Sequence, residues 1–454
     1  MRLQIHDDAR LNYNKLADEL VSRLRPAPDA LRPKSRLPDP NIHVAHQFTP
    51  ADLIGEMAYG WTDVAGNIAA RAFGQKGQMI GLFDEDHETL ERLSEGMKKS
   101  TTPRGVITVH LFSEKIFAWV KQKHRDRSFP PMTEYVLAEC EKQIKEIEVW
   151  IPISLLYIQS PFRLGRVNFR AITKRIVDDY EARINEKITK PKALDAAKQF
   201  IDRMRREIQG LAAATIEVEA EPRRAYEIAE EESEKAMNVL RFFSPANFHP
   251  GKTCYSAPWC KQHEDLNRYL SFQDGKIVGH ASGFTDKSAH HWNLTREELQ
   301  MFQGAGLNVL SDLLRADKLT DFQKSLIEAL SLYSRSSLAK QPSDKLVYIL
   351  VSLESVFLKD SSELIQDAIS LRMSYMLPLS VEERRAMISN VRAAYALRSS
   401  FIHHGLNVSL NDRKTLEEFM KNSWMSLQAL FPLAASQVTK KEFFKSLEDR
   451  KLAG

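Results

Sequence analysis

The 454-residue chain predicts an α+β multidomain fold, with a mixed α/β N-terminal region followed by an all-helical bundle. Three observations lead there. Short strand-like runs, β-branched or alternating, occur only up to about residue 285. From about residue 296 the apolar residues recur at intervals of three and four, the spacing of helices that bury one face. A proline-rich stretch, Pro26 to Pro40, sets the first helix apart from the rest.

Taken in order, Leu11 to Leu24 has helical spacing, and the prolines after it favour an extended arm, since proline cannot continue a helix. Gly105-Val-Ile-Thr-Val-His-Leu-Phe112 has strand composition, and Ser113 can cap a helix running to about Lys123. Glu148–Ile153, Arg166–Arg170 and the alternating Thr215-Ile-Glu-Val-Glu219 read as strands. Asp274-Gly275 is a hairpin signal. Charged helical stretches fall at roughly 172–208 and 222–243. Beyond them, Leu299–Leu314, Asp321–Leu338, Asp344–Leu358, Val381–His403 and Leu410–Leu430 read as helices. The expected organisation is an N-terminal helix and arm (1–45), an α+β region whose role its residues leave open (46–295; by analogy with the family resembled below, a sensor or regulatory part), a helical bundle (296–438) and a charged tail (439–454).

Composition narrows the function. Hydrophobic residues are 43% and charged residues 27%, the balance of an ordinary globular chain. A net charge of +4 permits a nucleic-acid partner without requiring one. Three cysteines do not make a disulfide framework, so a reducing cytoplasm is expected. The N-terminus carries charges where a signal peptide needs an apolar run, and no apolar stretch is long enough to span a bilayer, so no membrane partner is expected. No phosphate-binding glycine loop or nucleophile elbow occurs. His249, Cys254, Cys260 and His263 lack the paired two-residue knuckle of common zinc sites, and no metal or cofactor is expected. The basic run Lys121 to Arg127 reads as a solvated helix end, and Glu217, Glu219 and Glu221 as the solvent side of one strand.

The chemistry concentrates near the C-terminus. Leu346, Leu350, Leu353 and Phe357 form an apolar stripe, and Glu354 lies beside it, where a carboxylate wants a partner. Ser380-Val-Glu-Glu383 is a capping-box pattern opening the next long helix. Its stripe runs Ile388, Val391, Tyr395, Arg398, Ile402, so an arginine falls on an apolar line. Such a cation either pairs, with Glu354 the candidate, or faces a groove that takes an anion. His403 and His404 precede Gly405, a helix stop, and the negative helix end favours a protonated imidazole there. Arg398 and His403, five apart, sit roughly 140° from each other on a straight helix, so either the arginine's reach or a local unwinding must unite them. A fixed cation and a proton carrier titrating near neutrality are what metal-free RNA cleavage needs. The bland alternative is a structural Glu354–Arg398 pair with an incidental histidine.

Leu353-Glu354-Ser355-Val356-Phe357 and Tyr395-Ala-Leu-Arg398-Ser399-Ser-Phe-Ile402-His403 together resemble the HEPN superfamily, most closely its Apea-like branch. The first is similar to that branch's LExLF helix, the second to its Y-x-x-R-S-x-I-V-H signature. The resemblance covers roughly residues 310–435. Where the family has glycine directly after the histidine, His404 intervenes here, so His403 and His404 both stand as the proton carrier. The resemblance implies a four- to five-helix bundle that pairs with a second copy, as a homodimer or higher homo-oligomer. It also implies an RNA substrate cut without metal, with Arg398, His403, Glu354, Ser399 and His404 as the site. Relatives of this kind often act in defence against phage or as toxins, released by a phage or cellular trigger.

Overall fold

The computed structural model describes residues 2–28, 58–62, 68–75, 78–188, 191–261, 266–273, 276–284, 291–360 and 362–452. The chain divides into two compact units, and both are discontinuous in sequence: Met1–Ile147 with Glu217–Ile228, and Glu148–Ile216 with Ala229–Gly454. The division expected near residue 296 is therefore not where the chain parts. Strands and early helices from residue 148 onward belong with the C-terminal helices.

The first unit contains α1 (Asp7–Ser22), β1 (Arg25–Pro26), β2 (Ala58–Thr62), β3 (Ile68–Gln75), β4 (Gln78–Phe83), α2 (Glu85–Ser100), α3 (Val109–Arg125) and α4 (Met132–Glu141). Its sheet has the antiparallel order β1-β4-β3-β2. Phe73 and Leu82 join the helices' Leu90, Phe112, Ile116 and Trp119 in one buried cluster. Ala70, Ala72 and Phe83 gather in a second, as the period of two demands. The strand expected at 105–112 is not formed. Val109 begins a helix, because Thr108 caps it by accepting from Leu111 N–H at 3.2 Å. Ser113, expected as the cap, lies buried within that helix and donates to Glu91. Glu221, expected on a solvent-facing edge, is buried and accepts from the Thr108 backbone N–H at 3.1 Å and from its hydroxyl.

The second unit is built from strands and helices in chain order. The strand β5 (Lys145–Pro152) leads in from the first unit; then follow β6 (Leu156–Ile158), β7 (Phe162–Leu164), β8 (Val167–Ala171), α5 (Lys174–Lys187), α6 (Pro191–Glu207) and β9 (Ala212–Ala220). Next come α7 (Pro222–Arg241), whose residues up to Ile228 belong with the end of β9 to the first unit, then β10 (Leu266–Gln273), β11 (Lys276–Phe284), β12 (Trp292–Leu294), α8 (Arg296–Phe302) and α9 (Asn308–Arg315). The C-terminal helices are α10 (Asp321–Leu338), α11 (Pro342–Phe357), α12 (Ile365–Met376), α13 (Val381–His404), α14 (Arg413–Gln428), α15 (Phe431–Ala435) and α16 (Lys440–Leu452). One sheet runs β5-β9-β8-β7, β12 pairs parallel with β6, and β10 with β11 antiparallel. The Asp274-Gly275 turn between β10 and β11, and the prolines after Pro28, lie outside the described residues.

The C-terminal helices bury one continuous face each. The α11 stripe Leu346, Leu350, Leu353 and Phe357 is fully buried, as its spacing predicts. Ser352 donates to the Ala329 carbonyl at 2.6 Å, joining α11 to α10. Tyr333 of α10 is fully buried and donates to the Met420 carbonyl of α14 at 3.1 Å. Residues 439–454, expected as a tail, mostly form α16, whose Phe443 meets Phe322 at 4.7 Å between ring centres. Between α8 and α9 the chain makes a π-type turn at Gln303–Leu307, where Gly306 has φ of 111°. A Cβ there would lie 2.4 Å from the Phe431 ring, so only glycine fits. No helix among the described residues is long and apolar enough to cross a membrane.

Lys345 is fully buried in α11, its ammonium donating to the Lys252 carbonyl at 2.5 Å. Burial pulls its pKa down to about 8, with nearby Cys254 a weaker opposing influence. A lysine lowered by folding costs stability while charged, and that cost is relieved as pH rises from about 8 to the ordinary value of 10.5. Relative to Lys345→Met, which lacks the titrating amine, the wild type is therefore expected to gain roughly 3 kcal/mol of stability over that window. Urea denaturation of both proteins at several pH values checks this: the difference between the two curves should rise with pH.

Candidate functional site

Helix α13 carries the site and owes its length to both ends. Ser380 accepts from Glu383 N–H at 3.2 Å while the Glu383 carboxylate accepts from Ser380 N–H at 2.8 Å, the capping box expected from sequence. At the other end Gly405 turns left-handed with φ of 67°, and Leu406 N–H reaches back to the Ser400 carbonyl at 3.4 Å. The following loop is tied down at the start of α11, where Ser343 Oγ accepts from Val408 N–H at 3.0 Å.

The buried face of α13 runs Met387, Asn390, Val391, Ala394. Arg398 continues that line by four residues and is half-buried. The expected Glu354–Arg398 ion pair is not formed. Instead Tyr395 Oη donates to Glu354 Oε1 at 3.1 Å. Burial, then the Glu354 charge, pushes the Tyr395 hydroxyl far above its usual range, while the Arg398 charge pulls the other way. Tyr395 therefore stays a neutral donor. Arg398 is close enough to be felt at that hydroxyl, yet makes no hydrogen bond or ion pair with any described residue. Because a neutral phenol satisfies the carboxylate, the guanidinium keeps its donors free.

Ser399, His403 and His404 are exposed and likewise make no side-chain hydrogen bond or ion pair with described residues. The helix stays α-helical through His404, so no local unwinding brings His403 to Arg398. Regular geometry puts their Cα atoms about 9 Å apart, with His403 roughly 140° to one side of Arg398 and His404 roughly 120° to the other. Both histidines sit in the last turn, at the negative end of the helix dipole.

Beside this end of α13 opens a groove of about 990 Å³. Phe401 and Ile402 form its α13 side, Asp344 and Tyr348 come from α11, Arg335 from α10 and Glu234 from α7. Sequence reading missed these four last residues, since nothing links positions so far apart until the helices pack. Elsewhere, His249 pairs with Glu417 at 3.4 Å and Cys254 is buried. His263 lies outside the described residues, and no group of three metal-ligating side chains occurs among the described ones.

Comparison with family models, curated proteins and solved structures finds no match to this chain, so the reading of the site rests on its own residues. The Tyr395–Glu354 bond makes a quantitative prediction. Tyr395→Phe leaves the Glu354 carboxylate without its donor and is expected to cost about 1–2 kcal/mol. A double-mutant cycle with Glu354→Gln, followed by urea denaturation, should return a coupling of about 1 kcal/mol.

Proposed function

We propose that the chain is a metal-independent endoribonuclease of HEPN type, serving as a prokaryotic defence or toxin effector and working as a homodimer or higher homo-oligomer. The observation that carries this reading is Arg398: a half-buried guanidinium on the inner line of α13 with no partner among the described residues. A cation held there without a counter-charge is poised for an anionic ligand. The last turn of the same helix presents imidazoles to solvent.

The chemistry follows from these groups. The RNA 2′-OH attacks the adjacent phosphorus, and the bond to the 5′-oxygen breaks. A histidine takes the 2′-OH proton or gives one to the departing oxygen. Arg398 balances the charge that builds on the phosphoryl oxygens. The products are a 2′,3′-cyclic phosphate and a 5′-OH. DNA, lacking the attacking hydroxyl, is not a substrate. Two copies meeting at this helix end would let Arg398 of one and a histidine of the other serve a single phosphate, which accommodates the angular separation within one chain.

That same separation favours a second reading, a non-catalytic HEPN module for RNA or nucleotide binding or for dimerisation. The two part on one assay. Purified protein with end-labelled RNA and EDTA is expected to release 2′,3′-cyclic phosphate ends. Arg398→Ala and His403→Ala should each lower the rate about 10²–10³-fold. A loss confined to His404→Ala would move the proton-carrying role to His404. RNA binding with no cleavage by the wild type would leave the binding module.

A further inference from the structure

The groove beside α13 has a carboxylate in its lining that the fold holds in place. Glu234 Oε1 and Oε2 lie 3.3 and 3.4 Å from Nη2 of Arg241, an arginine with no exposed surface. Arg241 Nη1 in turn donates to Asn238 Oδ1 at 3.0 Å, and Ser334 Oγ donates to the same oxygen at 2.7 Å. Burying a guanidinium is costly unless it is paired and bonded. Here the pairing holds the Glu234 carboxylate oriented at the groove. Tyr348, 36% exposed, supplies an aromatic ring to the lining, and Phe401 and Ile402 an apolar surface. Arg335 is exposed and makes no hydrogen bond or ion pair with any described residue.

We propose that this groove is a nucleobase subsite that selects guanine in single-stranded RNA, with Tyr348 stacking on the base, Glu234 accepting from its Watson–Crick edge and Arg335 meeting a neighbouring phosphate. The proposal rests on the nucleic-acid reading of the Arg398 site. Guanine is singled out by donor pattern: its N1–H and N2–H stand side by side and suit a carboxylate's two oxygens. Adenine and cytosine each place an acceptor beside their amino group, and uracil flanks its single N–H with carbonyls, so each sets an acceptor against the carboxylate. Stacking on an aromatic ring supplies affinity without choosing a base. The groove is not a general sink for phosphate, because Glu234 and Asp344 offset Arg335 and Lys261 across it. Its α13 wall, Phe401 and Ile402, lies between Arg398 and His403 in the helix, so a base seated here belongs to a nucleotide next to the one being cut.

The test uses the full chain and fluorescent 2′-O-methyl tetranucleotides, which cannot be cleaved, differing only in whether one position is G, A, C or U. The G-containing oligonucleotide is expected to bind at least about tenfold tighter than the others by anisotropy. Glu234→Gln should erase that preference, and Tyr348→Ala should weaken all four about tenfold or more. Arg335→Ala, an exposed change that leaves the Arg241 network intact, should weaken all four less. Equal binding of the four by the wild type, or a preference for G that survives Glu234→Gln in a protein of unchanged circular dichroism, overturns the subsite. Cleavage of ordinary RNA is scored separately. G-selective binding without cleavage keeps the subsite and removes the nuclease, while cleavage without G-selective binding does the reverse.

Discussion

A phenol and a carboxylate set the terms for the candidate site. Tyr395 of α13 donates to Glu354 of α11, and with the buried face of α13 this bond marks how the helix is turned against its neighbour. Rotation decides everything further along the helix. With Tyr395 turned to Glu354, Arg398 falls at the inner edge, Phe401 and Ile402 reach the groove, and the two histidines face solvent. Had Glu354 taken the guanidinium instead, its charge would have been spent on holding the bundle together. A neutral donor does the structural task and leaves the cation uncommitted.

Three cations of the second unit show how the fold handles buried charge. Arg241 is fully enclosed and bonded through its two Nη atoms to Asn238 and Glu234, which positions a groove carboxylate. Lys345 is equally enclosed but meets a carbonyl, so its charge is disfavoured. Arg372 is less deeply buried and grips Glu363 through two bonds of 2.7 and 2.6 Å, holding that carboxyl down at about 2 and joining the α11–α12 connection to α12. Arg398 matches none of these three, bonding to neither carboxylate nor carbonyl among the described residues.

Much of the bundle was legible because its signals are local. The α10 and α13 starts, the α11 stripe, the capping box at Ser380 and the stop at Gly405 all depend on neighbours within four or five residues. The mixed α/β character was legible for the same reason. What escaped depends on distant partners. Gly105–Phe112 has the β-branched residues of a strand, yet Thr108 is engaged by Glu221, more than a hundred residues on, and the chain enters a helix at Val109. The same contact explains why Glu221 is not on a wet edge. The tail was misjudged because Phe443 finds its cover on α10 and α11. Within the site, the residue types were readable, but who bonds to Glu354 was not: Tyr395 and Arg398 lie three apart on one face, and only packing chooses between them.

The split of the first unit bears on how the protein is made. Residues 217–228 belong to it, and Glu221 supplies acceptors to the cap of α3. A ribosome that has delivered everything up to Ile147 has therefore not yet delivered a whole N-terminal body. Its last piece arrives only after β6 to β9 have emerged, so the early segment must wait, incomplete, while part of the other unit is synthesised. For the same reason, exchanging this body between related proteins requires transplanting two stretches of gene rather than one.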